Sequence, residues 1–276
     1  MVHADVTSAN IVGYSNAIVP TGYTLFTPQF KEMSSGKFNV DQLIPKLPNG
    51  KEVGADAATQ RNKVLLYFLN DVTKGLYSQA LSWVPNIGWS YDGVTKHVDT
   101  VEVSQGESIV ICNTVKANKT SGKEQYVPSG SVDFVPIHLL HSGEVDLNPV
   151  TLVPAGQYAL CGNVSFTDTI NIDDIEPVLP NGKVVGEDAA TQRNKVLVYF
   201  LTDKTNGLYG NALSWLPGVG WSYDGVTKHS DKVEFNPGEG YAVQNVVKAN
   251  KTSGKEQYVP SGSVDFVPIT MRLKAK

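Results

Sequence analysis

Val115-Lys-Ala-Asn-Lys-Thr-Ser-Gly-Lys-Glu-Gln-Tyr-Val-Pro-Ser-Gly-Ser-Val-Asp-Phe-Val-Pro-Ile137 is spelled again, letter for letter, as Val247 to Ile269, 132 residues later. Working outward, Asp41–Ile137 aligns on Asp173–Ile269 without a gap, and 71 of the 97 positions are identical. Upstream the match continues through small insertions, with Asn16-Ala-Ile-Val-Pro20 matching Val150-Thr-Leu-Val-Pro154. The 276 residues are therefore read as two homologous domains, 1–139 and 140–276. Two copies at so long a period are tandem domains, not a solenoid. Each is large enough to bury a core without metals or disulfides.

Within a unit the strand signals are dense. Lys63-Val-Leu-Leu-Tyr-Phe-Leu69 is a short apolar run rich in β-branched and aromatic residues, which predicts a central strand covered on both faces. Leu76–Trp83, Gly88–Tyr91, Thr100–Val103 and Ser108–Cys112 follow as strands, separated by turn signals such as Asp92-Gly93. The quoted segment reads as a polar loop, Lys116–Lys123, and a closing strand, Ser131–Ile137. Pro136 and Pro268 cannot donate to a ladder, so that strand is expected at a sheet edge. The helical signal is confined to Asp56–Arg61. About eight short strands per unit predict an all-β chain, two tandem β-sandwich or barrel-like domains. His138–Pro149, at the joint, carries Leu-Leu and Val-x-Leu pairs and is expected to be partly strand, holding the units in a fixed relation.

Composition narrows the function classes. Only 18% of residues are charged, the net charge is −4, and no basic run exceeds two residues, so no nucleic-acid footprint is visible. No apolar run approaches the length of a membrane span. Cys112 and Cys161 lack repeat equivalents and zinc spacing; they read as two buried small hydrophobes, with a bridge between the repeats as the alternative.

No residue set is read as catalytic, metal-binding or cofactor-binding. His97 and His229 are repeat-equivalent and read as solvated turn residues without a nucleophile elbow nearby. The repeated pairs Asp41/Asp173, Asp56/Asp188, Asp71/Asp203 and Asp92/Asp224 are explained locally as turn and cap residues. The aromatics are the most suggestive set: Tyr77, Trp83, Trp89 and Tyr91 recur as Tyr209, Trp215, Trp221 and Tyr223. Core packing explains them. The functional alternative is a glycan-stacking platform of Trp89, Tyr91, Trp221 and Tyr223.

Val12-Gly-Tyr14 and Ile18-Val-Pro-Thr-Gly-Tyr-Thr-Leu25 in the first unit resemble the mature N-termini of secreted, uncharacterised bacterial tandem β-repeat proteins. The second unit is similar over Val153-Pro-Ala-Gly156, Tyr158–Asn163, Gly220-Trp-Ser-Tyr-Asp-Gly225 and Asn236-Pro-Gly-Glu-Gly-Tyr241. The first unit departs from the pattern at Gln105-Gly-Glu-Ser108. The resemblance implies export, so the chain is expected to be secreted or at the cell surface, with Val2-His-Ala4 as the remnant of a removed signal peptide.

Together these readings predict a non-enzymatic extracellular structural protein, a subunit of a self-assembling surface layer or filament. Its partners would be other copies, joined by terminal β-strand addition. The candidate assembly strands carry Ile11, Val12, Tyr14 and Ile18 at one end and Val264, Phe266, Val267 and Ile269 at the other. The alternative is a carbohydrate-binding module or adhesin with polysaccharide as partner.

Overall fold

The computed structural model describes residues 12–30, 37–54, 62–67, 69–71, 76–77, 80–104, 106–115, 117–120, 123–126, 135–144, 151–165, 167–187, 194–199, 201–203, 208–209, 212–247, 249–252, 255–258 and 266–274. The first unit contains β1 (Val12–Val19), β2 (Gly22–Phe26), β3 (Lys37–Asn39), β4 (Ile44–Lys46), β5 (Asn62–Tyr67), β6 (Leu69–Asp71), β7 (Leu76–Tyr77), β8 (Leu81–Val84), β9 (Gly88–Ser90), β10 (Glu102–Ser104), β11 (Ile109–Val115), β12 (Ala117–Thr120), β13 (Lys123–Tyr126) and β14 (Ile137–Glu144). The second repeats this order as β15 (Thr151–Val153), β16 (Tyr158–Gly162), β17 (Ile170–Asn171), β18 (Ile175–Val178), β19 (Asn194–Tyr199), β20 (Leu201–Asp203), β21 (Leu208–Tyr209), β22 (Leu213–Leu216), β23 (Gly220–Ser222), β24 (Glu234–Phe235), β25 (Gly240–Val247), β26 (Ala249–Thr252), β27 (Lys255–Tyr258) and β28 (Ile269–Leu273).

Each unit is a β-sandwich-like arrangement of antiparallel sheets. A three-stranded sheet, β1-β14-β4, faces a five-stranded one, β2-β11-β5-β8-β9; the second unit repeats them as β15-β28-β18 and β16-β25-β19-β22-β23. The first core joins Val19, Ile137 and Leu139 of the small sheet to Val64, Leu66, Leu81, Trp89, Ile109 and Ile111 of the large one. The second core repeats the same layers, with Val153, Ile269 and Met271 against Val196, Val198, Leu213, Trp221 and Val243. The alternation is that of a strand with one face inward.

Several expectations are refined. β5 is central, as its apolar run predicts, but its residues alternate between buried and half-buried, so the outer face is only partly covered. The polar segment after Val115 is not a loop throughout: β12 and β13 form a hairpin with Ala117 opposite Tyr126. Leu76–Trp83 splits into β7 and β8, which belong to different sheets. Asp56–Arg61 lies outside the described residues.

The closing strand is the largest correction. Residues 131–134 and 263–265 of the expected strand lie outside the described residues; the described strand begins at Ile137 and Ile269, directly after the prolines, and is the middle strand of its sheet. The prolines precede the ladder, so they do not confine the strand to an edge. In the first unit this strand runs through His138–Glu144, beyond residue 139, and pairs with β1 along all eight residues from Val12↔Glu144 to Val19↔Ile137. The joint is therefore strand as far as Glu144, and that strand belongs to the first unit.

The two sandwiches meet through the outer faces of their large sheets. Leu25 and Val110 pack against Leu160 and Ala242, with Tyr23, Tyr67 and Tyr199 around them. Backbone hydrogen bonds cross the seam: Thr27 N–H donates to Gly238 O at 2.7 Å, Gly162 N–H to Gly106 O at 3.0 Å, and Ser108 N–H to Leu160 O at 3.0 Å. This seam is what gives the units a fixed relation.

Candidate functional site

The loop after β9 closes over a histidine that sequence reasoning misplaced. His97 was expected in solvent; its side chain is 1% exposed. A one-turn 3-10 segment, Val40–Gln42, is capped by Asn39 Oδ1, which accepts from Asp41 N–H. Val40 N–H donates to Val101 O, so this turn lies against the loop that carries the histidine. His97 Nε2 then meets Asp41 Oδ1 at 2.9 Å and Nδ1 meets Asp99 Oδ1 at 3.0 Å. Lys96 Nζ reaches the other Asp41 oxygen at 3.1 Å, and Tyr91 Oη donates to Asp99 Oδ2 at 2.9 Å. The second unit repeats the cluster with His229, Asp173, Asp231, Lys228 and Tyr223.

With a carboxylate on each ring nitrogen, the imidazolium is the only form that donates to both. Burial acts to lower the His97 pKa, but the hydrogen bonds and charges of Asp41 and Asp99 outweigh it and raise it above 6.5. Burial acts to raise that of Asp99, yet the bonds from Tyr91 and His97 leave it below 3.8. Burial and the Asp99 bond push the Tyr91 hydroxyl up to about 12. With both ring nitrogens held by carboxylates, His97 clips one loop to one turn. Next to it, Asp92 takes the Val94 and Thr95 N–H groups and the Ser90 and Thr95 hydroxyls, which hold it ionised well below the ordinary carboxylate range.

The clip has a pH signature. A raised histidine pKa contributes stability in full below its unfolded value of 6.5 and loses it as pH rises through the folded value. A lowered Asp99 contributes above 3.8 and loses it as pH falls through its folded value. His97→Gln is therefore expected to destabilise most near pH 5–6, by about 1–3 kcal/mol. The gap between wild type and variant should shrink towards pH 9 in urea unfolding series. A gap that widens with pH would contradict the charged-histidine assignment.

The aromatic platform loses its tryptophans. Trp89 and Trp221 are 0% exposed, and their indole N–H groups donate to Leu43 O at 3.0 Å and Ile175 O at 2.9 Å. Each stacks edge-on against a second tryptophan, Trp83 at 5.3 Å and Trp215 at 5.2 Å. A ring with both faces in the core has none to offer a sugar. Tyr91 is half-buried and Tyr223 exposed, each tied through its hydroxyl to the histidine cluster.

The assembly strands are also placed differently. Ile11 and Val264 lie outside the described residues. Val12, Tyr14 and Ile18 sit in β1, already paired with β14. Phe266 and Val267 precede β28, and Ile269 is a buried residue of that central strand, so the C-terminal segment is not a free donor.

Sequence reasoning missed a buried amide pair altogether. Asn62 Nδ2 donates to Asn113 Oδ1 at 2.6 Å and to Val135 O at 2.7 Å, and Asn113 Nδ2 reaches Val135 O and Pro20 O. Asn194 and Asn245 do the same for Val267, Val153 and Pro154. These amides fasten the residue before each proline, and the end of the first strand, onto the large sheet. The one sequence signal was that both asparagines recur in otherwise apolar strands. Cys112 and Cys161 are free and buried, and burial pushes both thiols up, so neither offers a thiolate.

No family model matches this chain, and no curated protein matches it. Among solved structures, a chain from the structure of infectious bursal disease virus Gt strain aligns at 10% identity, covering 99% of this chain and 73% of that one, with a TM-score of 0.19. A chain of the Gx strain aligns at 9% identity, covering 98% and 78%, with a TM-score of 0.15. Likenesses of this size carry no argument about fold or function.

Proposed function

We propose that this protein is a non-enzymatic extracellular structural protein, the subunit of a surface layer or filament whose copies join by β-strand addition. The observation that supports this reading is how the repeated polar and aromatic groups are spent. In both units the histidine, its carboxylates, the core tryptophans and the amide pair are committed to holding strands and turns together. Export rests on the resemblance to secreted repeat proteins.

Both units also present a like edge. Among the described residues β1 and β15 are the outer strands of their small sheets, so each leaves one row of backbone groups unpaired there. Ile18 on β1 is 66% exposed, and its repeat equivalent Leu152 on β15 is 57% exposed. An aliphatic side chain beside an open sheet edge suits an added strand, and like edges in both units let the contact propagate. Because β1 is paired inside its own chain, the addition is onto its outer edge rather than by release of a free strand.

Negative-stain microscopy of the full chain is expected to show polymers. Deleting residues 1–15 removes the half of β1 that pairs with His141–Glu144 and is expected to abolish them. Unchanged polymers would overturn strand addition, and uniform single particles at high concentration would overturn the subunit reading. The adhesin alternative retains only Tyr91 and Tyr223 from its platform, and a glycan array tests it.

A further inference from the structure

The seam between the units has the form of a two-fold interface. Phe26 bridges to Glu239, and Glu107 bridges to Cys161. In the repeat alignment Phe26 corresponds to Cys161 and Glu107 to Glu239, so the two bridges are one contact with the roles exchanged. The hydrogen bonds Thr27 N–H to Gly238 O and Gly162 N–H to Gly106 O are exchanged in the same way. Such reciprocity marks an isologous interface, in which a residue near the axis faces its own counterpart.

At that axis the counterparts differ. Ser108 faces its equivalent Gly240: a Cβ on Gly240 would lie 2.9 Å from Ser108 Cβ and 3.1 Å from Leu25 Cβ. Thr27 faces its equivalent Gly162: a Cβ there would lie 2.7 Å from Thr27 Cβ and 2.8 Å from Ser108 Oγ. Contacts below 3.0 Å force something to move, and the neighbours are the stems of buried side chains. In the adjoining apolar cluster Val110 has Ala242 as its equivalent, again larger in the first unit. The hydroxyls fill the space and are satisfied: Thr27 Oγ1 lies 2.6 Å from Ser108 Oγ, which donates to Cys161 O at 2.7 Å.

We infer that this seam is heterotypic: the Thr27/Ser108 face of the first unit accepts the Gly162/Gly240 face of the second unit and rejects another copy of itself. Two first-unit faces would bring four hydroxyl side chains into space for two. Two second-unit faces would leave a void where the hydroxyls sit, and voids cost stability. The partner of the first unit at this surface is the second unit of the same chain. The asymmetry saturates the face in cis, so contacts between chains use other surfaces. It also accounts for Ser108 differing from its counterpart Gly240.

The test uses the full chain and exchanges the residues across the axis. Gly240→Ser is expected to open the seam: the single urea-unfolding transition splits into two, and small-angle scattering shows an extended particle. Near-ultraviolet dichroism from Trp89 and Trp221 should remain native. Adding Ser108→Gly to that variant restores a compact particle and one transition, and Thr27→Gly with Gly162→Thr gives the same recovery from Gly162→Thr alone. If Gly240→Ser unfolds the second unit, the same recovery in the exchanged pair supports the inference. A Gly240→Ser chain indistinguishable from the parent, or exchanged pairs no better than the single substitutions, would overturn it.

Discussion

Truncating Trp221 to alanine is expected to destabilise the protein by about 3–5 kcal/mol. The ring is fully buried among the second core's residues, packs edge-on against Trp215 and donates to Ile175 O. Alanine removes the apolar contact, leaves a cavity and orphans that carbonyl. Trp221→Phe keeps much of the ring volume but not the N–H, and should cost about 1–3 kcal/mol from the unsatisfied acceptor. Urea unfolding at fixed pH separates the two. A Trp221→Ala midpoint equal to wild type, with lost sugar binding, is the outcome a stacking platform requires and burial forbids.

Asn245→Leu is the second large effect, about 2–5 kcal/mol. Leucine is close in volume, so the cost is polar. Asn245 Nδ2 reaches the carbonyls of Val153, Pro154 and Val267, and its Oδ1 accepts from Asn194. Losing it strands Asn194, which is itself buried, and unfastens the residue that leads into β28. Asn113→Leu should act alike in the first unit through Asn62, Val135 and Pro20. A double-mutant cycle over Asn194 and Asn245 is expected to give a coupling of about 0.5–3 kcal/mol, and additive losses would show that the amides act separately.

The residues that were legible and those that were not differ in the reach of their interactions. Lys63–Tyr67 was readable as a central strand because its apolar run is a local property, whereas Leu69 opens β6 in another sheet. Asp92-Gly93 was readable as a turn because Asp92 bonds within three residues of itself. The histidine clip was not, since Asp41 and His97 are 56 residues apart and only the β3–β10 pairing brings their segments together. Nor was the amide pair, which links positions 51 and 73 apart. The prolines of the closing segment misled because a missing N–H bars a residue from a ladder but says nothing of the strand that starts one residue later.

By itself the sequence determined that this chain is two copies of one all-β unit and that each copy has a buried apolar side on its strands. Only the tertiary structure decided what covers each side. Periodicity records that one strand face is apolar; it does not record which sheet, or which unit, lies opposite. Ser108 and Gly240 look like ordinary divergence between repeats until the fold sets them face to face, where the volume of one decides what the other can be.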